Sequence, residues 1–221
     1  MITGSNIRNL LFDLDGTLID SSEGIVSAVN LALEKMEESP RNPEEIKKFI
    51  GFSLETMFNN FSAKSYDEFR GYFQQFGVNV IAESAKPLDG VDETLRLLHR
   101  RGYLIGIGTQ KMKIHLDKII AKLGWASLIS AGAGVDDVLR AKPEPDIYMK
   151  VMNLLNGNLK NSLVIGDTIN DVLAAHAAGL PVIAVSSPFG DNGELASSNP
   201  DVLIDDIRKL PILLGIENTI D

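Results

Sequence analysis

Two carboxylates stand one residue apart at the end of an apolar run, in Leu11-Phe12-Asp13-Leu14-Asp15-Gly16-Thr17-Leu18. Buried strands do not ordinarily end this way, because grouped acids raise each other's pKa and are costly to strip of water. The C-terminal edge of a parallel sheet is the exception, since α/β sheets place ligands there. Gly16 lets backbone come close to a bound group, and Thr17 offers a hydroxyl beside it. A second segment of the same kind is Leu163-Val164-Ile165-Gly166-Asp167-Thr168-Ile169-Asn170-Asp171. With a helix starting near Thr168, Asp167 sits at a strand tip and Asp171 in the first turn, so both face one point. Alone, such acids satisfy a helix dipole. Beside Asp13 and Asp15, in a chain with no cysteine, they point to a hard, oxygen-preferring cation such as Mg²⁺. His99, His115 and His176 match no metal-ligand spacing.

Two further strand-end features belong with these acids. Ile105-Gly106-Ile107-Gly108-Thr109-Gln110-Lys111 puts a hydroxyl at a strand tip, and Ala141-Lys142-Pro143-Glu144-Pro145 places a lysine just before a helix. Taken singly, Thr109 reads as a turn residue and Lys142 as a surface cation.

The elements that must position these residues alternate along the chain. Strands are expected at Ile7–Phe12, Leu104–Ile107, Leu128–Ser130, Leu163–Ile165, Val182–Val185 and Val202–Ile204. They are short, rich in Leu, Ile and Val, and lack polar alternation, as strands covered on both faces do. Helices are expected at Val91–Arg101, Pro145–Leu155 and Asn170–Ala178. The pattern predicts a doubly wound, Rossmann-like parallel sheet of the α/β class. One stretch breaks it. Residues 21–85 show helical patterns only: a face of Ile25, Val29, Ala32, Leu33 and Met36, then Glu44–Ile50, Leu54–Phe61 and Tyr66–Phe76. That is too long for an ordinary strand-to-helix connection. It predicts a small helical domain inserted between residues 1–20 and 86–221, with Lys86–Gly90 as the return linker. Phe58, Phe61, Phe69, Phe73 and Phe76 fall at helical spacing and read as its core; Trp125 reads as packing.

A chain of 221 residues with 44% hydrophobic residues can bury a core without disulfides. Its formal net charge of −9 argues against nucleic acid as the main partner. No apolar run approaches the roughly 18–20 residues that cross a bilayer, and no signal-peptide pattern opens the chain. With cysteine absent, a cytoplasmic protein without a membrane partner is expected, as a monomer or homodimer.

The four segments resemble the four motifs of the haloacid dehalogenase superfamily, in its phosphoglycolate phosphatase-like branch. Asp13–Thr17 resembles the first motif, Thr109 the second, Lys142–Pro145 the third and Gly166–Asp171 the fourth; the helical insert resembles the cap domain. The resemblance implies a Mg²⁺-dependent phosphatase. Asp13 would be the nucleophile and a metal ligand. Asp15 would protonate the leaving oxygen, activate water, and give its carbonyl to the metal. Thr109 and Lys142 would hold the phosphoryl oxygens. Asp167 would bind the metal directly, and Asp171 would act through water or orient Lys142. Gly16, Thr17 and Gln110 in the core, with Lys48 and Ser53 in the cap, are the candidates for substrate contact; Gln110 stands where this branch often has Asn. Asp15 itself argues for phosphate rather than halide, because a halide leaving group needs no second acid.

Elementary electrostatics agrees. A carboxylate approaching a phosphate dianion at about 4 Å meets roughly 8 kcal/mol of repulsion at an effective dielectric near 20. A divalent cation and a fixed lysine answer it. Four carboxylates and a dianionic substrate still outweigh Mg²⁺ and Lys142, which predicts that Asp15 begins protonated. The expected substrate is a small phosphorylated, phosphoglycolate-like metabolite. Rival readings are a phosphoryl-transfer relative, such as a sugar phosphomutase or inorganic pyrophosphatase, and a non-catalytic binding protein on the same fold. In the cap, Lys47 and Lys48 read first as exposed helix residues and Phe52 as core.

Overall fold

The computed structural model describes residues 6–190 and 192–216; the outer ends of the expected core segments, residues 1–5 and 217–221, lie outside the described residues. The core is a six-stranded sheet whose strand pairs are all parallel. Its strands are β1 (Asn9–Phe12), β4 (Leu104–Gly108), β5 (Ile129–Ala133), β6 (Ser162–Gly166), β7 (Val182–Val185) and β8 (Val202–Ile204), in the order β5-β4-β1-β6-β7-β8. Leu10, Leu11 and Phe12 are fully buried, which is why β1 is apolar from Leu10 to its end. Helices α5 (Val91–Arg100), α6 (Lys113–Lys122), α7 (Asp146–Leu154) and α8 (Ile169–Ala177) connect these strands.

The chain runs from β1 outward through β4 to β5, then returns to the other side of β1 for β6. The two halves therefore diverge beside β1, and ligands bind at such a point. Register makes this concrete. Phe12 is level with Ile107 on one side and Ile165 on the other, so the residues just past the three strand ends emerge side by side.

The third strand is displaced from the expected Leu128–Ser130 to Ile129–Ala133. Leu128 instead closes a turn, its N–H donating to the Trp125 carbonyl. Trp125 is fully buried, and its indole N–H donates to Asp92 Oδ1 at 2.9 Å, tying this turn to the start of α5.

Between Asp20 and Lys86 the chain forms four helices, α1 (Ser22–Lys35), α2 (Pro43–Lys47), α3 (Leu54–Asn59) and α4 (Tyr66–Ser84). Side-chain caps start three of them: Asn42 ahead of Pro43, Ser53 ahead of α3, and Ser65 ahead of α4. Helix α4 does not stop near Phe76 but continues through Gly77 to Ser84. Packing explains the extension. A Cβ on Gly77 would lie 3.3 Å from Ala28 Cβ, and one on Gly24 would lie 2.6 Å from Ile81 Cα, so α1 and α4 meet along small residues. Phe58 stacks on Phe69 with centroids 4.5 Å apart, and both are fully buried, as is most of Phe73. Phe61 and Phe76 are half-buried. Strands β2 (Ile19–Asp20) and β3 (Lys86–Pro87) pair antiparallel where the chain leaves and rejoins the core. Among the described residues, no helix is long and apolar enough to cross a membrane.

Candidate active site

Asp13 follows β1, and its N–H donates to the Ile165 carbonyl at 2.8 Å, which fixes it beside the end of β6. The side chain is buried, and Oδ1 accepts from Lys142 Nζ at 2.6 Å. Lys142 lies between β5 and α7; it is also buried and donates to Asp171 Oδ1 at 2.7 Å. Asp171 is saturated. The Tyr148 hydroxyl donates to the same Oδ1 at 2.7 Å, while the Thr168 N–H and hydroxyl donate to Oδ2 at 3.0 and 2.6 Å. The Thr168 N–H bond, with the Asp171 N–H donating in return to the Thr168 hydroxyl oxygen at 3.4 Å, forms a capping box that starts α8, so one acid both caps the helix and aims the lysine.

Asp167, at the tip of β6, accepts from the Thr17 hydroxyl at 2.7 Å, and Ser187 beyond β7 also bonds its carboxylate. Thr17 is thus committed to Asp167. Gly16 has φ +85°, and a Cβ there would stand 2.1 Å from Asp167 Oδ2. Only glycine permits this turn to lie against the carboxylate.

Asp15 faces a different set of partners. Ser21 donates to its Oδ1, and Lys111 Nζ lies 3.0 Å from its Oδ2. Lys111 brings a second lysine charge to the site, so the excess of negative charge is one unit smaller than Lys142 and Mg²⁺ alone would leave. Thr109 is buried, with its N–H on the Ala133 carbonyl and its hydroxyl accepting from the Lys111 N–H at 3.1 Å. Gln110 donates through Nε2 to the Lys142 carbonyl at 3.1 Å and so ties the end of β4 to the lysine loop.

Burial and crowding set the electrostatics. Burial raises the Asp13 carboxyl to about 7; Lys142 pulls it down, and Asp171 and Asp15 push it up. Asp167 is pushed well above the carboxylate range by burial and then by the charges of Asp13 and Asp171. Burial acts to raise Asp171 too, but the charge of Lys142 and the bonds from Lys142, Thr168 and Tyr148 outweigh it and hold Asp171 low. Asp13, Asp167 and Asp171 each offer one oxygen, and the three atoms lie within 4.8 Å of one another. A buried all-oxygen set with surplus negative charge fits a hard divalent cation. The saturated state of Asp171 leaves Asp13 and Asp167 as the better donors.

A cavity of about 500 Å³ opens above Asp13, Asp15 and Thr109. Lys111, Met112 and His115 line its core side, and Phe52, Ser53, Met57 and Phe73 its helical side. Ser53 therefore reaches the cavity as well as capping α3. Phe52, expected as core, is half-buried in its wall. Lys48 does not line it: exposed, it borders a second cleft of about 410 Å³ with Asp167, Thr168 and Phe189. Lys47 pairs with Glu44 at 2.8 Å. Sequence reasoning missed Ser21, Lys111, Tyr148, Ser187 and the place of His115. Lys111 had a signal, lying two residues past Thr109 in the same strand-end loop; the others depend on tertiary approach.

Comparison with known proteins agrees with this geometry. Residues 10–185 match the family described as haloacid dehalogenase-like hydrolase. The chain is 31% identical over 211 residues to pyrophosphatase PpaX of Bacillus mycoides, covering 95% of this chain and 98% of that protein. It is 29% identical over 239 residues to a phosphoglycolate phosphatase of Salmonella paratyphi A, covering 97% and 95%. Among solved structures, a predicted phosphatase from Clostridium acetobutylicum superposes with a TM-score of 0.84 at 28% identity, covering 93% of this chain and 97% of that one. A hydrolase from Pseudomonas syringae superposes at 0.79 with 27% identity, covering 95% and 98%. With the match spanning both halves of the sheet and every strand end that carries a site residue except Ser187, the chain belongs to the haloacid dehalogenase-like hydrolase family.

Proposed function

We propose that this protein is a Mg²⁺-dependent phosphatase that cleaves a small phosphorylated metabolite through an aspartyl-phosphate on Asp13. The observation that carries the reading is the division of labour between two neighbouring acids. Asp13 is buried with Lys142 on one oxygen, whereas Asp15 faces the same cavity from Ser21 and Lys111. Lys142 fixes Oδ1 of Asp13, which leaves Oδ2 as the attacking atom. Asp15 gives a proton to the leaving oxygen and then takes one from the water that hydrolyses the acyl phosphate. Thr109 and Lys142 hold phosphoryl oxygens, and Gln110 and Asp171 keep Lys142 in place. Asp13, Asp167 and the Asp15 carbonyl would hold Mg²⁺, which when bound supplies the charge neutralisation that lets a carboxylate meet a phosphoryl group.

Residues 21–85 act as a cap on the core formed by 1–20 and 86–221. In support, a Cβ on Gly51 would fall 2.8 Å from Thr168 Cγ2, so the loop before α3 rests against the start of α8. A second reading, hydrolysis of a phosphoanhydride, draws support from the name of the Bacillus relative. Phosphate release from a panel of phosphate esters and pyrophosphate, with Mg²⁺ and with a chelator, tests the proposal. Metal-dependent release is expected; no release from any compound in Mg²⁺ would overturn it.

The acids also make stability depend on pH. Asp13 is raised from 3.8 to about 7 on folding, so the native state binds the extra proton between those values. The associated stability is present below the unfolded pKa and is lost as pH rises through the folded one. His115, which burial holds at about 4, acts the other way, but the raised Asp13 and Asp167 outweigh it, so without metal the melting temperature is expected to fall as pH rises from about 4 to about 7. Added Mg²⁺ should raise it more at pH 7.5 than at pH 5, because cation and proton compete for the same carboxylates. Thermal denaturation at both pH values, with and without Mg²⁺, reads this directly.

A further inference from the structure

Lys111 stands in the loop after β4 and lines the main cavity, its side chain 9% exposed and its Nζ 3.0 Å from Asp15 Oδ2. An ammonium carries three donors, and keeping one this far from water is costly unless they are used. Among the described residues, Nζ has no partner besides Asp15. Its spare donors are left to whatever fills the cavity. After burial, the charge of Lys111 is the largest influence lowering the His115 imidazole, to about 4, so the ammonium shares a wall with a neutral ring.

The reaction fixes what lies beside that ammonium. Ser21 bonds Oδ1 of Asp15 and does not line the cavity, whereas Lys111 does, so Oδ2 is the oxygen turned toward the substrate. To protonate a leaving oxygen, Asp15 must hold it at about 2.6–3.2 Å. Two atoms that share Oδ2 at about 3 Å each stand no more than about 6 Å apart. A charged group two or three bonds beyond the leaving oxygen spans that gap and meets Nζ. The other charges of the lining are placed differently. Arg70 is 53% exposed, 3.7 Å from Asp67, and one turn of α4 beyond Gln74, whose amide reaches Met112 Sδ of the core at 3.0 Å. Asp136 accepts from the Lys113 N–H at 2.7 Å, and Glu55 is exposed on α3. Of the two cations on the lining, Lys111 is the one paired with the acid that meets the leaving group.

We infer that Lys111 is a specificity-determining residue whose ammonium binds a negative charge standing two or three bonds from the scissile oxygen. The substrate is then a 2-phosphoryloxy carboxylate or a diphosphate, and a neutral ester of the same size is a poor one. The inference rests on the phosphatase reading and narrows it, assigning the choice of leaving group to the core side of the cavity rather than to Arg70 of the helical side.

The test measures kcat/KM in Mg²⁺ for wild type, Lys111→Gln, Lys111→Met, Lys111→Arg and Arg70→Met. The substrates are phosphoglycolate, pyrophosphate and carbamoylmethyl phosphate, the uncharged amide of phosphoglycolate. Wild type is expected to favour the better of the two anionic substrates over the amide by at least about tenfold. Lys111→Gln and Lys111→Met should bring that ratio to within about threefold of unity, mainly through KM on the anionic substrate, and Lys111→Arg should restore part of it. The ratio is the readout because any loss that Lys111 causes through Asp15 alone falls on every substrate and cancels. Arg70→Met should leave the ratio within about twofold of wild type. An unchanged ratio in the Lys111 variants, or a collapse in Arg70→Met instead, overturns the inference. A wild type that turns over the amide as well as either anionic substrate overturns it too, leaves the phosphatase intact, and needs no variant to fold. Absence of turnover on all three overturns both.

Discussion

Asp13→Asn is expected to lower phosphate release by at least about 10⁴-fold while leaving the fold intact. The substitution keeps size and shape, and the amide oxygen can still accept from Lys142, but a neutral amide does not attack phosphorus. The effect on stability runs the other way from most buried-charge mutations. Asp13 is one of three buried acids around a single lysine, and its ionisation is opposed by burial and by Asp171 and Asp15. Lys142 keeps Asp171 as a partner in the variant. Metal-free Asp13→Asn should therefore melt no lower than wild type at pH 7.5, and its Mg²⁺-induced rise should shrink. Activity within tenfold of wild type would remove Asp13 from the nucleophile's role.

Lys142→Met is expected to be the most damaging single change to both stability and activity. The ammonium is buried between Asp13 and Asp171, and its Nζ also lies 4.7 Å from the centroid of the Tyr148 ring. Burial by itself lowers the pKa of Lys142, yet the two carboxylates outweigh it and raise it, so the charge is present across neutral pH. Taking it away leaves clustered acids without a cation. Breaking one side of a buried ion pair costs about 3–5 kcal/mol, which for a chain of this size is a drop of about 10 °C in melting temperature. Loss of a positioned donor at the transferring group should cost at least about 10²-fold in kcat. Mg²⁺ should recover part of the stability, since it returns positive charge to the same acids, but not the rate. Thermal denaturation and phosphate release measured together separate the two effects. Lys142→Arg should not rescue, because a larger planar fork in this fully buried place cannot reproduce a point charge on Asp13 and Asp171.

The parallel core was legible because buried strands write themselves as short runs of Leu, Ile and Val, and the acids that interrupt those runs mark their ends. Once Phe12, Ile107 and Ile165 are level, Asp13, Thr109 and Asp167 have to meet. What could not be read is what depends on approach from elsewhere. Nothing in the spacing of Lys111 says that its ammonium reaches Asp15, and Thr17 looks like a substrate contact until Asp167 is seen on its hydroxyl. Nothing in the place of Tyr148 on α7 says that its hydroxyl completes Asp171. Helix α4 outran its expected end because Gly77, a poor helix residue in isolation, packs against Ala28 of α1.

The short ribbon of β2 and β3 has a bearing on how such a chain can diversify. Ile19 pairs with Pro87 and Asp20 with Lys86, so the intervening residues begin and end at bonding distance. Whatever number of residues lies between, the parent sheet sees the same two neighbouring strands. The entropy of closing a loop grows only with the logarithm of its length, so extra turns of helix are cheap. Insertions, deletions or wholesale exchange between Ser21, which bonds Asp15, and Lys86 can thus retune selectivity while strand order, register and the chemistry at the sheet edge stay fixed.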